Sequence, residues 1–558
     1  MRLATLVAVL LLAGPARAQT AGTCATGEAQ ASLDINRVRA ALFNTGSLFF
    51  GGTTTNGDGY VVPKESGKSP IYAANLWVGG QVNGEVRVAA ALYTNFNFWP
   101  GPLEPGTGLP PTPADCSPYD RVYVVSTGDV SEYYRTGVAT ADLRDWPAHL
   151  GAPVLDGDGD PTNYNLRGGD QPAISGDGMA WWVMNDAGNV HPANGSAPLG
   201  VEVRGEAFAV RHPVLDQTTM YRFTVVNGGP TPIDSLYVGM YVDADLGNAS
   251  DDYAGTDTTY GMGYTYNADE DDEGQTGYGV PPAVGVQVLD GPIGLPNGLD
   301  DDRDGAVDEP GERLGLTGAP YIAKSGPFPI GEPYLEASHY YRRLQGLYSD
   351  GSMMQEGSYG YPSPGAGPPT RFFLAGDPLT GSFWSAENTD RQGQREAPGD
   401  KRFFITTGPF RLAPGEADTV AFAIPFAQGA DRLDSVARLR ALASVIGPAY
   451  RNGGFAPARV EGGPGSGGAG PVLPIRLGQP SPNPFTGTSV VRIDGPADLP
   501  FEAILTDVLG RRLAVLHDGP PPPDGQLRID GAALAPGVYR LVVRVPAGEA
   551  VRTMARLR

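Results

Sequence analysis

The chain has 558 residues, with 62 acidic against 40 basic side chains and a formal net charge of −22. Such a surface repels phosphate backbones, so no nucleic acid partner is expected, while it attracts cations and keeps an extracellular protein soluble. Hydrophobic residues make up 41%, enough for a sizeable core in more than one domain, and 79 glycines with 53 prolines point to many turns, short strands and few long helices.

Residues 1–18 read as a secretory signal peptide. Arg2 supplies the positive end, Leu6 to Ala13 the apolar run, and Ala16-Arg17-Ala18 a small-x-small cleavage site. The apolar run is too short to span a bilayer, which takes ~20 residues, and no later stretch is longer. No transmembrane segment is therefore expected in the mature chain. Its two cysteines, Cys24 and Cys116, would sit in an oxidising compartment. The sequence leaves a bridge and two free thiols equally open, and C-x-x-C metal spacing is absent.

Residues 19–452 read as an all-β body, an antiparallel β-sandwich with few helices. Val201 to Arg211, Met220 to Asn227 and Ser235 to Val242 are β-rich runs separated by turn clusters such as Asn227-Gly228-Gly229-Pro230. One helix is expected from 431 to 446. Asp431 caps it, Leu433, Val436, Leu439, Leu442 and Ile446 form its apolar stripe, and Gly447-Pro448 stops it. A Gly/Pro-rich linker follows at 453–474, and a small domain fills 475–558.

The sharpest candidate site is a loop of alternating carboxylates. Asp300, Asp302, Asp304 and Asp308 fall at positions one, three, five and nine, with Gly305 at the sixth position where a sharp turn is needed. Ca²⁺ is a hard cation that takes roughly six to eight oxygens in such a loop, so these four aspartates are the expected metal ligands. The pattern resembles thrombospondin type 3 calcium loops and departs from an EF-hand, because position twelve is Gly311. Asp156, Asp158 and Asp160 repeat the first half of the pattern, with Pro161 in place of the glycine. Asp243, Asp245, Asp251, Asp252 and Asp257 form a third acidic cluster whose spacing fits no standard loop, and a polar loop is the expected reading there. Trp181-Trp182 would place one indole in the core and one outward; core plus edge packing is the expected reading, and an outward indole stacked on a sugar is the alternative. Ser358-Tyr359-Gly360-Tyr361 reads as plain loop packing, with an adaptable binding surface as the alternative. The five histidines show no zinc-protease spacing, and there is no G-x-S-x-G elbow or P-loop.

The last domain carries period-two strands with one core face each. Phe501, Ala503 and Leu505 form one such face, Tyr539, Leu541, Val543 and Val545 another, and Val551, Thr553, Ala555 and Leu557 a third, opposite Arg552, Met554, Arg556 and Arg558. Gln479-Pro480-Ser481-Pro482-Asn483-Pro484-Phe485, Asp507-Val508-Leu509-Gly510-Arg511 and Leu534-Ala535-Pro536-Gly537-Val538-Tyr539 resemble, in order, the three motifs of type IX secretion sorting domains of type A. Ser481 departs from the usual aromatic residue. The resemblance implies a small Ig-like β-sandwich, read by the type IX translocon of Bacteroidota-like bacteria. The body resembles a group of exported proteins of such bacteria through Tyr60-Val61-Val62-Pro63-Lys64, Leu76-Trp77-Val78-Gly79-Gly80, Trp181 to Asp186 and Asp243 to Gly247. That group has no established activity, so it adds no catalytic residue. The expectation is a secreted or cell-surface protein, calcium-stabilised, with a structural or binding role and a surface glycan as one candidate ligand. The alternative is a secreted glycan-active hydrolase, which would need an open cleft with two facing carboxylates.

Overall fold

Thr218–Asn227 alternates Tyr221, Phe223 and Val225 with Met220, Arg222 and Thr224. In the computed structural model the first set enters the main core, while Met220 enters a second one on the other side of the sheet. The structure describes residues 22–556 except 52–58, 94–95, 275, 297–299, 302–305, 324–325, 333–335, 358–359, 364–365, 461–475, 479, 484, 495–499, 508–511, 535–536 and 546–547. Among the described residues ten strands of six residues or more build the body in chain order. They are β1 (Ala73–Val82), β2 (Gly178–Asn185), β3 (Val201–Ala209), β4 (Thr218–Asn227), β5 (Ile233–Asp243), β6 (Asp252–Asp257), β7 (Met262–Asn267), β8 (Pro282–Asp290), β9 (Lys401–Leu412) and β10 (Ala417–Gln428). One sheet runs Gln30–Leu33, Arg39–Phe43, Ser47–Leu48, β1, β5, β9, Tyr321–Ala323, and the other runs β6, β7, β8, β10, β4, β3, β2, Trp99–Pro100. Neighbouring strands along both paths pair antiparallel. The body is the expected antiparallel β-sandwich.

Leu76, Val78, Val238, Met240 and Ile405 of the first sheet meet Tyr221, Phe223, Phe422 and Ile424 of the second. Helices cover part of the outer face of each sheet. Among the described residues four α-helices stand in chain order: α1 (Thr127–Thr136), α2 (Ala141–Arg144), α3 (Ala337–Leu344) and α4 (Arg432–Arg451). Tyr340, Tyr341 and Leu344 of α3 cover Trp77, Tyr237, Tyr241 and Phe404 of the first sheet. On the second sheet Val130 of α1, Leu143 of α2 and Ile446 and Ala449 of α4 bury Trp181, Phe208 and Met220. Sheets covered on both faces read as nearly continuous apolar runs, and all eight residues of β2 are buried.

α4 starts as the sequence predicts, with the Asp431 carboxylate accepting from Asp434 N at 2.8 Å. It does not stop at Gly447-Pro448. Pro448 lies inside it, and the helix closes a turn later where Asn452 N donates to Pro448 O at 3.0 Å. A proline removes one donor, and here the packing of Ile446 and Ala449 on the sheet outweighs that loss. The first residues of the expected linker are docked on the body. Phe455 is buried, Arg459 donates to Gly169 O at 2.7 Å, and Val460 N donates to the Gln171 side chain at 2.8 Å.

The C-terminal domain is a second small sandwich. Arg476–Leu477, Thr488–Asp494 and Gln526–Asp530 form one sheet, and Arg512–Gly519, Phe501–Asp507, Gly537–Val545 and Gly548–Arg556 form the other. Phe501, Ala503, Leu505, Tyr539, Leu541 and Val543 face its core as expected. The last strand does not follow its expected phase. Met554, placed by the sequence among the arginines, is the residue that enters the core, while Arg552 reaches Leu477 O at 2.6 Å. Two residues of the first sorting-like motif clamp that strand. The Asn483 side chain accepts from Ala555 N at 2.8 Å, and Phe485 N donates to Ala555 O at 3.0 Å with the Phe485 ring in the core.

Candidate functional site

Trp181 and Trp182 take opposite faces of β2, as alternation requires, yet each is only 1% exposed. Trp182 enters the main core opposite Gly205, where an added Cβ would lie 2.2 Å from the indole, so only glycine leaves room. Trp181 packs against Trp146 and Tyr123. The pair is packing, as expected, and neither indole is left outward for a sugar, because the second sheet is covered on both sides here. Of the other aromatic surface, Ser358 and Tyr359 lie outside the described residues, and Tyr361 donates to Asp350 at 2.9 Å.

Of the four expected calcium ligands, Asp302 and Asp304 lie outside the described residues. Asp300 lines a cleft of about 650 Å³ with Tyr260, Asp290, Asp301, Arg313 and Arg451. Asp308 lines a smaller recess with Asp301, Glu309 and Glu312. Asp301 belongs to both, so the loop borders the cleft. In the cleft wall, Asp290 is paired with Arg313 at 2.7 Å. Burial raises the Asp290 pKa, and the guanidinium opposes that rise.

The second acidic loop gains a member that its spacing does not announce. Asp156, Asp158 and Asp170 offer oxygens that all lie within 4.8 Å of one another. Asp156 accepts from Asp158 N at 3.1 Å and Gly159 N at 2.8 Å, and Asp158 accepts from Asp160 N at 3.0 Å. Asp160 is turned to Thr162 N at 3.0 Å. Asp170 is fully buried and fixed by Gly157 N at 2.8 Å and Asn165 N at 2.6 Å. It reaches the loop because Val154–Leu155 pairs with Gln171–Pro172, which folds residue 170 back onto residue 156.

The third acidic cluster is divided by the fold. Asp257 is taken by Arg440 at 2.7 Å and by Thr259 N at 3.0 Å. Asp251 and Asp252 lie on the β6 side, where burial and then neighbouring carboxylates raise both, Asp251 to about 6 and Asp252 well above the ordinary carboxylate range. Asp252 accepts from Leu246 N at 3.1 Å through Oδ2, while its Oδ1 has no hydrogen-bond partner. Asp243 and Asp245 instead join Asp400, with oxygens within 4.8 Å of one another. Burial, then Asp245, pushes Asp243 up to about 7. At an effective dielectric of ~20, two carboxylates about 4 Å apart repel by about 4 kcal/mol, so such a group calls for a cation or a proton. Arg402 supplies one charge, at 3.0 Å from Asp243. Tyr93 accepts from Arg402 at 2.7 Å and donates to Asp243 at 2.8 Å. Both groups of three that could hold an ion among the described residues consist of aspartates.

The only two cysteines form a disulfide with Cα atoms 5.4 Å apart. It is buried beside Trp99. No helix among the described residues is long and apolar enough to cross a membrane.

No family model matches the chain, and no curated protein matches its sequence. A solved structure described as a polysaccharide lyase aligns at 11% identity and a TM-score of 0.17, over 64% of this chain and 34% of that one. The alignment thus spans about a third of that structure's length.

Proposed function

We propose that this chain is an exported extracellular protein with a structural or binding role, stabilised by calcium at its acidic loops and delivered by type IX secretion through residues 475–558. The observation that carries the extracellular reading is the Cys24–Cys116 disulfide. Structural disulfides persist in oxidising compartments and are rare in a reducing cytosol. The sorting-like motifs supply the route. The convergence of Asp156, Asp158 and Asp170 supports the calcium reading, because all-oxygen donor sets suit a hard cation. Asp300, Asp302, Asp304 and Asp308 are the proposed ligands of another ion.

A second reading, a glycan-active hydrolase, has one observation in its favour, the cleft of about 650 Å³ lined by Asp290, Asp300 and Asp301. Its wall carboxylate Asp290 is held by Arg313, and the tryptophan pair is core, so the structural or binding role is preferred. Expression of the full chain and of a chain ending at residue 474, in a host with the type IX system, tests the route. The full chain should reach the surface or the medium and the shortened one should stay periplasmic. Equal export of both would sink the assignment.

A further inference from the structure

β5 and β9 pair with Asp243 opposite Arg402. Carrying that antiparallel register two residues further sets Asp245 opposite Asp400, just past the end of the ladder. Side chains two apart on a strand share a face, and directly opposed residues share it too. The register alone therefore gathers three aspartates and one arginine at one sheet corner. The oxygens of Asp243, Asp245 and Asp400 all lie within 4.8 Å of one another. Ligand oxygens around one calcium ion, with bonds of about 2.3–2.6 Å, are separated by no more than about 5 Å.

Arg402 cannot balance this corner by itself. Its Nη2 lies 3.0 Å from Asp243, its Nη1 2.5 Å from Asp400 and its Nε 3.1 Å from Glu332. One positive charge is thus shared among three carboxylates, with Asp245 as a fourth beside them. Asp243 is 1% exposed. Its Oδ2 accepts from Tyr93 and Arg402, but its Oδ1 has no hydrogen-bond partner. A buried carboxylate oxygen without a donor is unfavourable unless a proton or an ion takes it.

We propose that Asp243, Asp245 and Asp400 hold a divalent cation, calcium, at this corner, with Arg402 as a fixed counter-charge that orients Asp243 and Asp400. The donors are all hard oxygens, which selects calcium over the softer transition metals. The centre shares no residue with the Asp156–Asp170 loop or the Asp300–Asp308 loop, so its fate is separate from theirs. It ties the C-terminal end of β5 to the residue just before β9, and so links segments that are far apart in sequence.

The test uses the full chain, stripped with chelator and titrated with calcium chloride by calorimetry. A parallel titration with terbium is read by emission excited through tyrosine, since the Tyr93 hydroxyl contacts Asp243 and lies 2.9 Å from that of Tyr241. Asp245→Asn with Asp400→Asn should remove one calcium equivalent and lower the tyrosine-excited emission. Asp156→Asn with Asp158→Asn should leave that equivalent in place. The proposal is overturned if the first variant binds as many equivalents as the wild type with unchanged affinity, or if the wild type binds none. Should that variant fail to fold, wild-type crystals soaked in terbium decide: an anomalous peak among Asp243, Asp245 and Asp400 supports the centre, and its absence overturns it.

Discussion

Replacing both cysteines by alanine, Cys24→Ala with Cys116→Ala, isolates the contribution of the disulfide. The bridge joins residues 92 apart in sequence. In the chain-entropy relation a closed loop of that size removes about 4.6 kcal/mol of unfolded-state freedom at 25 °C. The native state should survive the change. Gly22 N still donates to Ala187 O at 2.8 Å, Thr23 N to Pro113 O at 2.7 Å and the residue-24 amide to Gly188 O at 2.7 Å. Asp120 still accepts from Glu28 N at 2.8 Å and Ala29 N at 3.0 Å. The loss therefore falls on the unfolded ensemble, which expands, and the denaturant slope should rise as the midpoint falls. Urea unfolding followed by tryptophan fluorescence, with and without reductant, measures it. The variant and the reduced wild type should lose stability by similar amounts, about 3–5 kcal/mol. A loss below about 1 kcal/mol, or two titratable thiols in the oxidised wild type, would refute the reasoning.

Three further expectations concern charge. Chelation should lower the melting temperature, with about 2.7 kcal/mol at stake when calcium is a hundredfold above its dissociation constant. Asp302→Ala with Asp304→Ala should abolish the part of that sensitivity that belongs to the Asp300–Asp308 loop, and a wild-type melt indifferent to chelator would reduce the loops to solvated turns. Burial holds His212 below its ordinary 6.5, against an opposing pull from Asp177. Its unfolded state therefore takes the proton first, so stability is full above pH 6.5 and falls as pH drops toward the folded pKa. His212→Gln should flatten the melting profile below pH 6.5, and an unchanged slope would assign it elsewhere. Arg343 is fully buried and donates to Tyr321 O at 3.0 Å, Pro329 O at 2.7 Å, Ile330 O at 2.9 Å and Gly331 O at 2.8 Å. Burial draws its pKa down to about 10. Arg343→Met leaves those carbonyls without their donor and should cost about 3–5 kcal/mol in thermal or urea unfolding, whereas a cost near zero would show that the segment from 321 to 331 holds itself.

Local pattern was enough for local structure. The strands around Val203, Phe223 and Val238 follow from alternation, and the Asp431 cap follows from one side chain placed before an apolar stripe. The small C-terminal sandwich was legible in part because three of its strands alternate with a period of two. The phase of the last strand was not, because its more apolar alternation competes with the one that carries Met554 among arginines, and the pairing with Gly537–Val545 puts Met554 beside Tyr539 on the core face.

Tertiary structure alone decided the rest, since it turns on pairing between distant segments. Alternation sends Trp181 and Trp182 to opposite faces, but whether the outer face meets water depends on α1, α2 and α4 arriving to cover it. Asp170 joins Asp156 through a hairpin return, with no fixed spacing to betray it. Asp245 and Asp400 meet only because β5 and β9 share a register, and Cys24 meets Cys116 only because the N-terminal segment lies along residues 187–188. A sequence states which side chains share a face of one strand. Which strands stand side by side is set by how all the faces are buried at once, and that is a property of the whole fold.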